Sequence, residues 1–508
     1  MKKFILFLLF HTTFFGQAGS YDTTFSTDGI ASVCQSYTFF SIDAAQQSTG
    51  KIINYGDNYA FNRSISLVRY NPNGTLDSTF GVGGFINSPS LTNFPTNRNI
   101  RPGGIAIQAD DKIVIMGFQQ SDAFGNGFWV ARLLQNGAAD TTFNSTGYLD
   151  LFFGSEQTFG KCIKIQLDGK IIVAGHSGNI GQNFAMARIN PNGTLDTTFG
   201  SNGKVETTFT GTESGANSIA VQPDGKIVLG GWTSSSSGPY DFGMIRYNIN
   251  GSVDTTFGIN GKVITAIVNG NSETITKLLL QSDGKILVGG TTYFGGGYFC
   301  LARYLTNGSL DASFGSNGLV FGTEYAGWNC DIAQQIDGKI VLAGGFNSNK
   351  FSYLRYLNNG QIDTTFPVNG FFANVGLDGY ASSVIIQSDN KLIICGSLST
   401  VIDSFGNTIL CSGVVRLNPG TLAIEEFANK EIVIYPNPTT GVLNFSTSIF
   451  ENNNYKVIVF NVIGQKVFER ENINTEINSL DLSSLIKGTY FITLGDKEKK
   501  ITKTIIIK

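Results

Sequence analysis

The sequence predicts an all-β protein in which a long repeated region is followed by a small, separate C-terminal β domain. Three short motifs recur seven times in a fixed order through most of the chain. Asp-Gly turns flanked by apolar runs recur inside these repeats, and such turns are the strongest local signal of a β-hairpin. Near Asn429 the composition changes, because charged residues become common and glycine becomes rare. The chain therefore divides into two regions of different character.

The N-terminal segment is typical of a secretory signal peptide. A basic start, Met1 to Lys3, precedes an apolar run from Phe4 to Phe10, and small residues suitable for cleavage follow from Gly16. A membrane anchor is the alternative, but the apolar run is much shorter than the roughly 20 residues that span a bilayer. We predict a signal peptide at residues 1–18 and a mature chain without a transmembrane segment.

The repeat region, residues 19–420, is defined by three motifs. The first is D-x-[ST]-F, with its Asp at Asp22, Asp77, Asp140, Asp196, Asp254, Asp311 and Asp363. The second is a Gln, a turn, a Lys and an apolar run that ends in Gly, with the Lys at Lys51, Lys112, Lys170, Lys226, Lys285, Lys339 and Lys391. The third is an apolar run that ends in Arg, at Arg69, Arg132, Arg188, Arg246, Arg303, Arg355 and Arg416. Such periodic self-similarity indicates a repeat architecture.

Each repeat contains four predicted strands. One ends at the Gln, the next runs from the Lys to the Gly, the third ends at the Arg, and the fourth follows the D-x-[ST]-F motif. Tight turns such as Asp168-Gly169 join the first two strands, which are therefore antiparallel. Seven antiparallel four-stranded units predict a seven-bladed β-propeller. A β-solenoid is the alternative, although its repeats are usually shorter and its strands parallel.

The two ends of the repeat region complement each other. Asp22 has no Arg strand before it, and Arg416 lacks the Asp that should follow it, because position 424 is Ile424. We predict that the segment from Asp22 to about Val33 supplies the outer strand of the last blade. Such an interlock removes an open strand edge that invites aggregation.

The best repeats also carry a family resemblance. Leu195 to Gly200, with the sequence LDTTFG, and Gln222 to Val228, with the sequence QPDGKIV, resemble the delta-60 repeats of bacterial propeller-like proteins. The resemblance covers about residues 20–420 and implies the propeller fold. It implies no activity and no catalytic residues.

An Arg and an Asp recur eight residues apart in each complete repeat. The Arg stands where some propeller calcium loops place their first acidic ligand, so a calcium site is an alternative. A guanidinium at that position occupies the place of the cation and can pair with the Asp through two parallel hydrogen bonds. We predict no metal site and six structural ion pairs, namely Arg69 with Asp77, Arg132 with Asp140, Arg188 with Asp196, Arg246 with Asp254, Arg303 with Asp311 and Arg355 with Asp363.

The loops of one propeller face vary between repeats, whereas those of the other face are nearly the same in every repeat. The variable loops join the second strand to the third, or lead into the first strand, and variable loops on a rigid scaffold usually carry binding. Aromatic residues in or near these loops, among them Phe118, can stack on sugars or anchor a protein. The candidate ligand-binding residues are Trp232, Tyr240, Tyr293, Phe294 and Trp328. We expect His176 to be only a loop residue, because the mature chain offers no second His.

Composition excludes several other functions. A formal net charge of −3 gives no broad positive field for a phosphate backbone, so we predict no nucleic-acid partner. The six Cys are spread singly and form no metal-binding pattern, and we predict no cofactor. Cys395 and Cys411 lie on neighbouring predicted strands and are the candidate disulfide pair, whereas we expect Cys34, Cys162, Cys300 and Cys330 to be small buried residues.

The last region, residues 432–508, follows a predicted linker at 421–431. About eighty residues of short strands with Pro and Gly between them predict a small β-sandwich. Its motifs resemble those of the C-terminal type A sorting domain of type IX secretion, and the residues that carry the resemblance include Tyr435, Pro436, Asn437, Pro438, Gly441, Gly464, Gly488 and Tyr490. The resemblance implies export through the periplasm, contact with the type IX machinery, and release or attachment at the outer cell surface. An ordinary binding sandwich is the alternative.

The sequence thus favours a secreted or surface-displayed propeller that binds a glycan or a protein. It contains none of the common catalytic motifs, and a binding or adhesion scaffold needs none. The alternative is an extracellular hydrolase or lyase acting on polysaccharide or peptide, with acids contributed by several blades. A purely structural role is a third hypothesis. Two carboxylates with raised pKa values in an aromatic-lined pocket would favour the enzyme.

Overall fold

The structure is a computed structural model of the 508-residue chain. It describes residues 19–508 except 36, 59–63, 88–98, 121–125, 155–156, 179–182, 210–212, 235–237, 269, 294–296, 347–349, 367–370, 403–407, 420–433, 436–437, 446–454, 462–464, 474–477 and 496–499. The predicted signal peptide and the predicted linker lie outside the described residues. The chain divides into two compact units, Met1–Gly420 and Thr421–Lys508.

The first unit contains a short N-terminal strand, β1 (Ile30–Val33), and seven antiparallel blades. Blade 1 consists of β2 (Phe39–Gln46), β3 (Ile52–Asn58), β4 (Ser64–Tyr70) and β5 (Phe85–Asn87). Blade 2 consists of β6 (Asn99–Ile107), β7 (Ile113–Gln120), β8 (Gly127–Leu133) and β9 (Tyr148–Leu151). Blade 3 consists of β10 (Thr158–Ile165), β11 (Ile171–Ser177), β12 (Asn183–Ile189) and β13 (Lys204–Thr208). Blade 4 consists of β14 (Glu213–Val221), β15 (Ile227–Ser234), β16 (Tyr240–Tyr247) and β17 (Lys262–Thr265).

In the last three blades, two long strands each serve two blades. Blade 5 consists of β18 (Ser272–Leu280), β19 (Ile286–Tyr293), β20 (Gly297–Tyr304) and the start of β21 (Leu319–Gln334). Blade 6 consists of the end of β21, β22 (Ile340–Phe346), β23 (Lys350–Tyr356) and the start of β24 (Phe371–Ile386). Blade 7 consists of the end of β24, β25 (Leu392–Ile402), β26 (Thr408–Leu417) and β1. The prediction of seven four-stranded blades is therefore confirmed.

The Gln-to-Gly motif builds the turn between the first two strands of a blade. In blade 3 the Gln166 N–H donates to the Lys170 carbonyl (2.8 Å), and the Lys170 N–H donates to the Asp168 side chain (3.1 Å). Gly169 adopts a φ of 80°, which a glycine accepts without steric cost. The closing Gly of the motif is required for a different reason. A Cβ on Gly175 would lie 1.9 Å from the Phe159 carbonyl oxygen, so no side chain fits there.

Apolar side chains fill the layers between neighbouring blades. Ile172 and Ala174 of blade 3 pack with Ile227 and Leu229 of blade 4 in one buried cluster, and equivalent clusters lie at the other junctions. The last junction closes the ring, because Ile393, Cys395 and Val414 of blade 7 share a cluster with Ile52 and Val68 of blade 1. Burial of this kind is the main favourable term in folding.

The N-terminal strand completes blade 7, as the sequence predicts. Strand β1 pairs antiparallel with β26, with Ile30 opposite Val415 and Val33 opposite Ser412. Asp22 then lies beside Arg416, in the place that the missing Asp of the last repeat would occupy. First and last segments of the ring therefore share one sheet, and no blade keeps the open edge that an unpaired β26 would have.

The predicted Cys395–Cys411 disulfide is wrong, since Cys411 bonds to Cys34 instead. Cys395 lies opposite Val414 on β26, whereas Cys411 lies opposite Leu398, so the two cysteines are out of register. On the other side of β26, Val33 lies opposite Ser412, which brings the next residue, Cys34, beside Cys411 with Cα atoms 4.4 Å apart. Cys162, Cys300, Cys330 and Cys395 are free thiols.

The second unit is a small β-sandwich. One sheet contains β27 (Ile434–Tyr435), β28 (Val442–Phe445) and β31 (Asn478–Asp481), and the other contains β29 (Tyr455–Asn461), β30 (Lys466–Ile473), β32 (Gly488–Gly495) and β33 (Lys500–Ile507). Leu443 and Leu480 of the first sheet pack against Val457, Ile492 and Ile505 of the second. Within the described residues of the whole chain, no helix is long and apolar enough to cross a membrane.

Candidate functional site

The three repeat motifs meet at one cluster in every blade. In blade 3 the Arg188 Nε donates to Asp196 Oδ2 at 2.7 Å, and the Lys170 Nζ lies 2.9 Å from the same oxygen. The guanidinium carbon of Arg188 also lies 4.3 Å from the centre of the Phe199 ring. The Lys of the second motif, the Arg of the third and the Asp and Phe of the first therefore form one ion-pair and cation–π cluster.

The same cluster occurs seven times. The distance from Arg Nε to Asp Oδ2 is 2.7–2.8 Å in the pairs Arg69–Asp77, Arg132–Asp140, Arg188–Asp196, Arg246–Asp254, Arg303–Asp311, Arg355–Asp363 and Arg416–Asp22. The other Asp oxygen accepts hydrogen bonds from the residue two positions on, as from Thr198 in blade 3. These hydrogen bonds and charges outweigh the effect of burial and hold the pKa of Asp196 well below its usual value.

The Arg–Asp pairs differ from the predicted geometry in one respect. Only one nitrogen of each guanidinium bonds to the Asp, because a second nitrogen donates to a main-chain carbonyl of the next blade. Arg188 reaches the Ile249 carbonyl at 2.5 Å, and Arg355 reaches the Pro419 carbonyl at 2.7 Å. Each cluster therefore joins neighbouring blades, which is a structural task. Among the described residues, no three His, Cys, Asp or Glu side chains are grouped to hold a metal.

A row of five rings lies at the opposite, variable face and is called here the aromatic row. It runs from Phe118 to Phe159, His176, Trp232 and Tyr240 across blades 2, 3 and 4. The centroid distances between successive rings are 5.0, 4.8, 5.9 and 4.8 Å. All five side chains are half-buried, so each ring keeps part of its surface open to solvent.

Local backbone structure brings these rings together. Phe118, His176 and Trp232 each follow the closing Gly of the second motif, so they occupy the same position in three successive blades. Gly215 lies between two of them, and a Cβ there would be 3.0 Å from both the Trp232 ring and the His176 Cβ. The absence of a side chain at this position lets the two rings meet edge to face, a favourable aromatic geometry.

The two ends of the aromatic row differ in charge. At the Phe118 end, the Lys161 Nζ lies 5.6 Å from the centre of the Phe118 ring. At the other end, the Tyr240 hydroxyl donates to Glu213 Oε2 at 2.5 Å, and this hydrogen bond raises the pKa of Tyr240 to about 12. The aromatic row is therefore cationic at one end and anionic at the other.

His176 in the middle of the row is neutral at ordinary pH. Burial lowers its pKa to about 3, and the positive charge of Lys161 adds to the effect. Its Nδ1 is buried without a hydrogen-bond partner. This nitrogen faces Gly215, where a Cβ would lie 3.1 Å from it, so it is closed to solvent and His176 contributes its ring face to the row.

Two further acids lie on the same face near the end of the row. Burial raises the pKa of Asp241 and of Glu273, and the charge of Asp241 adds to the effect on Glu273. Glu273 is tied to the protein, since its carboxylate accepts hydrogen bonds from Thr292 (3.1 Å) and from the N–H groups of Ile267 and Val268. Asp241, by contrast, forms no ion pair or side-chain hydrogen bond with any other residue that the structure describes.

Charged side chains also line the innermost strands around the axis. Asp43, Lys277 and Asp331 occupy equivalent register positions on β2, β18 and β21. Lys277 Nζ lies 3.0 Å from Asp331 Oδ1, and the carboxylates of Asp331 and Asp43 outweigh burial and raise the pKa of Lys277. Burial raises the pKa of Asp43, which accepts the Ile105 N–H (3.2 Å) and so links blades 1 and 2.

The structure brings together only part of the predicted ligand-binding set. Trp232 and Tyr240 pack side by side in the aromatic row. Tyr293 is 36% exposed at the end of β19 in blade 5 and is not one of the five rings of the aromatic row. Phe294 lies outside the described residues, and of Trp328 only the backbone is described, within β21.

Two members of the aromatic row were missed from the sequence. The sequence does not single out Phe159, and it predicts a loop position for His176, which instead lies in β11 and stacks on Phe159. Comparison of the residue that follows the closing Gly in each repeat would have found the pattern, since blades 2, 3 and 4 have Phe118, His176 and Trp232 there. This comparison does not find Phe159, because Phe159 lies on the first strand of its blade, β10, and does not follow a closing Gly.

The described residues of the predicted sorting motif lie in the β-sandwich. Thr439, within the same motif, bonds to the last strand, because its N–H donates to the Ile506 carbonyl and its carbonyl accepts the Lys508 N–H. The Tyr490 hydroxyl donates to the Ile486 carbonyl (2.7 Å). Tyr435 is in β27, Pro438 is exposed, Gly441 has a φ of 131° and Gly488 begins β32, while Pro436, Asn437 and Gly464 lie outside the described residues.

A closed ring of seven four-stranded blades, each tied by the same ion-pair cluster, defines a repeat β-propeller protein. The family model described as "Domain of unknown function (DUF5122) beta-propeller" matches residues 47–80, 108–143, 166–199, 222–257, 281–314, 335–366 and 387–420. The model for the secretion system C-terminal sorting domain matches residues 433–508. The chain is a DUF5122-repeat β-propeller protein with a C-terminal sorting domain of type IX secretion. It is sorted by that system to the cell surface or the extracellular space.

Comparison with individual proteins adds little. No curated protein sequence matches the chain. A protein of unknown function from Dyadobacter fermentans is 8% identical, with 77% of this chain and 98% of that chain covered and a TM-score of 0.42. An ulvan lyase bound to a sugar is 10% identical (80% and 95% covered, TM-score 0.39), and a NanB sialidase variant from Streptococcus pneumoniae is 11% identical (80% and 70% covered, TM-score 0.36).

Proposed function

We propose that this secreted propeller is a glycan-binding scaffold and that the aromatic row is its binding surface. The observation that carries the proposal is the contact chain from Phe118 to Tyr240, in which half-buried rings line up at the variable face. A protein core would bury such rings completely, as Trp129 and Phe128 are buried in blade 2. Rings that stay partly open at the end of a rigid scaffold are suited to stacking on the apolar faces of sugars.

The polar groups of the aromatic row fit the same ligand. Sugar hydroxyls need hydrogen-bond donors and acceptors at fixed places, and such groups provide orientation in binding sites. The Tyr240 hydroxyl and the Glu213 carboxylate provide such groups at one end of the row. A surface made for a protein partner would be larger and would have an apolar centre with a polar rim.

A second candidate function is hydrolysis or elimination on a polysaccharide. The raised pKa values of Asp241 and Glu273 near the Trp232–Tyr240 end support it, because glycosidases use one protonated carboxyl as general acid. Against it, Glu273 is held by three hydrogen bonds within the protein. We therefore place binding first and test turnover in the same experiment.

The test is a glycan array probed with the purified full chain and with two single variants, Trp232→Ala and Tyr240→Ala. Each variant removes one stacking surface, and we expect about tenfold or greater loss of affinity for the bound glycan. Phe321→Ala is the matched control, since Phe321 is 47% exposed on the outer strand of blade 5, away from the row. Any bound glycan is then incubated with the chain and its products are measured by chromatography.

The outcomes separate the hypotheses. Binding that is lost in Trp232→Ala and kept in Phe321→Ala supports the aromatic row as the binding surface. Product formation that is abolished by Asp241→Asn favours the enzyme. Failure of the folded chain to bind any glycan contradicts the proposal and leaves a protein partner or a structural role.

A further inference from the structure

We propose that the glycan is acidic and that Lys161 binds its carboxylate or sulfate group at the Phe118 end of the aromatic row. The inference rests on the proposed function, because it names the chemical class of the ligand for the same surface. Its basis is a cation beside the rings for which the described residues provide no counter-charge.

Lys161 is placed at this surface by a bulge. The register of β10 with β11 shifts between Gly160 and Cys162, so Lys161 is the extra residue of the innermost strand in blade 3. Its side chain is half-buried, and burial lowers its pKa. A cation in such a place gains from an anionic partner, since removal of charge from water is costly unless the charge is paired.

Nearly all other lysines of the propeller have partners. Seven pair with the repeat Asp residues, Lys277 pairs with Asp331, and Lys204 and Lys262 donate to main-chain carbonyls. Among the lysine side chains that the structure describes in this unit, Lys161 and Lys164 form no ion pair or hydrogen bond. Lys164 lies on the same strand, three residues further from the variable face.

The acids around the axis do not neutralise Lys161. Asp43 accepts hydrogen bonds from the N–H groups of Ala44 and Ile105. Asp331 pairs with Lys277 and accepts hydrogen bonds from Ser383 and the Val384 N–H. Both carboxylates are therefore occupied by links between blades, and the positive charge of Lys161 is available to a ligand.

The opposite end of the row fixes the orientation of that ligand. Glu213 beside Tyr240 would repel a second anionic group, so we expect a neutral sugar on Trp232 and Tyr240. The acidic sugar of the ligand then lies over Phe118 and Phe159, within reach of Lys161. The expected ligand has an acidic sugar next to a neutral one, or a single acid group at one end.

The test uses immobilised glycans in matched acidic and neutral forms. The pairs are hyaluronan, in which acidic and neutral sugars alternate, with its carboxyl-reduced form, and a sulfated galactan with its desulfated form, so that carboxylate and sulfate are tested separately. The full chain is compared with Lys161→Met, Lys161→Arg and Lys204→Met. Lys204 is the matched control because its Nζ also lies 5.6 Å from a Phe ring, that of Phe153, but on the outer strand of blade 3.

We expect tighter binding of an acidic form than of its neutral partner, by about tenfold or more, as is typical of one charge-assisted hydrogen bond. Lys161→Met should abolish this preference, while Lys161→Arg and Lys204→Met keep it. Equal binding of acidic and neutral forms, unchanged in Lys161→Met, overturns the inference but leaves glycan binding intact. Absence of binding to every form overturns the proposed function itself.

Discussion

Asp22 and Arg416 are 394 residues apart in the chain, yet Arg416 Nε donates to Asp22 Oδ2 at 2.8 Å. Lys391 Nζ lies 2.9 Å from the same oxygen, and Arg416 also donates to the Pro72 carbonyl of blade 1. The seventh copy of the repeat cluster is thus assembled from both ends of the propeller. The same residues therefore complete the last blade and close the ring.

Loss of this pair should open the ring. Asp22→Asn leaves Arg416 buried without its counter-charge, and such a loss costs about 3 kcal/mol of unfolding free energy. Asp196→Asn, which breaks the equivalent pair inside blade 3, should cost a similar amount in denaturant unfolding. Limited proteolysis distinguishes them, because we expect faster cleavage near the N-terminus only in Asp22→Asn. Equal cleavage rates in both variants would show that the ring closes without this pair.

A disulfide reinforces the same closure. Cys34 and Cys411 join β1 to β26 with a sequence separation of 377, so reduction or Cys34→Ser should destabilise the propeller by about 2–5 kcal/mol. The measurement is thermal unfolding with and without reductant. Thiol titration of the unreduced, unfolded chain should find four free thiols. A peptide map that joins Cys395 to Cys411 would contradict the structure.

Acid should lower the unfolding free energy of the propeller through all seven repeat clusters. Burial alone would raise the pKa of Asp22, but hydrogen bonds from Thr24 and Lys391 hold it at about 2. The pKa values of the other six repeat Asp residues are lowered as well. A carboxyl with a lowered pKa stabilises the fold fully above its unfolded value, about 3.9, and this stability is lost as pH falls through the folded value. The unfolding free energy should therefore fall steeply between about pH 4 and 2. A flat profile over that range would rule out this role of the Asp residues.

The fold was predictable because its determinants are local and repeated. The Gln166-to-Gly175 turn, the Arg188–Asp196 pair and the Asp22–Arg416 closure each follow from short motifs whose partners recur at fixed spacing. The disulfide was not predictable in this way. Cys411 has a neighbouring strand on each side, and the registers of β1 and of β25 against β26 together decide between Cys34 and Cys395.

The aromatic row was only partly predictable for a related reason. Trp232 and Tyr240 belong to one blade and flank the same variable loop, so the sequence predicts that both lie at the variable face. Phe118, Phe159 and His176 come from other blades, and their contacts depend on how neighbouring blades pack and on the bare Gly215 between them. A single sequence contains the identities of such residues but not their contacts across blades.

The neutral His176 should give the propeller a measurable pH dependence. Its folded pKa of about 3 lies below the unfolded value near 6.5, so the unfolded chain binds a proton that the folded chain does not. The contribution is fully present above about pH 6.5 and is lost as pH falls towards 3, with a slope of up to about 1.4 kcal/mol per pH unit. Denaturant unfolding of the chain and of His176→Phe at pH 7 and 4.5 should show a smaller loss in the variant. Identical losses would contradict burial of a neutral imidazole.

Folding of the sorting domain should be required for secretion, and Gly441 offers a sharp test. Its φ of 131° is unfavourable for any other residue, and a Cβ would lie 2.6 Å from the Ser483 Cα. Gly441→Ala should therefore destabilise the domain by about 1–3 kcal/mol and move protein from the cell surface or medium into the periplasm. Gly488→Ala is the matched control, because the nearest atom to its Cβ is 3.9 Å away. Immunoblots of the two fractions should show retention of Gly441→Ala alone, and equal export of both variants would mean that sorting tolerates a distorted Gly441 turn.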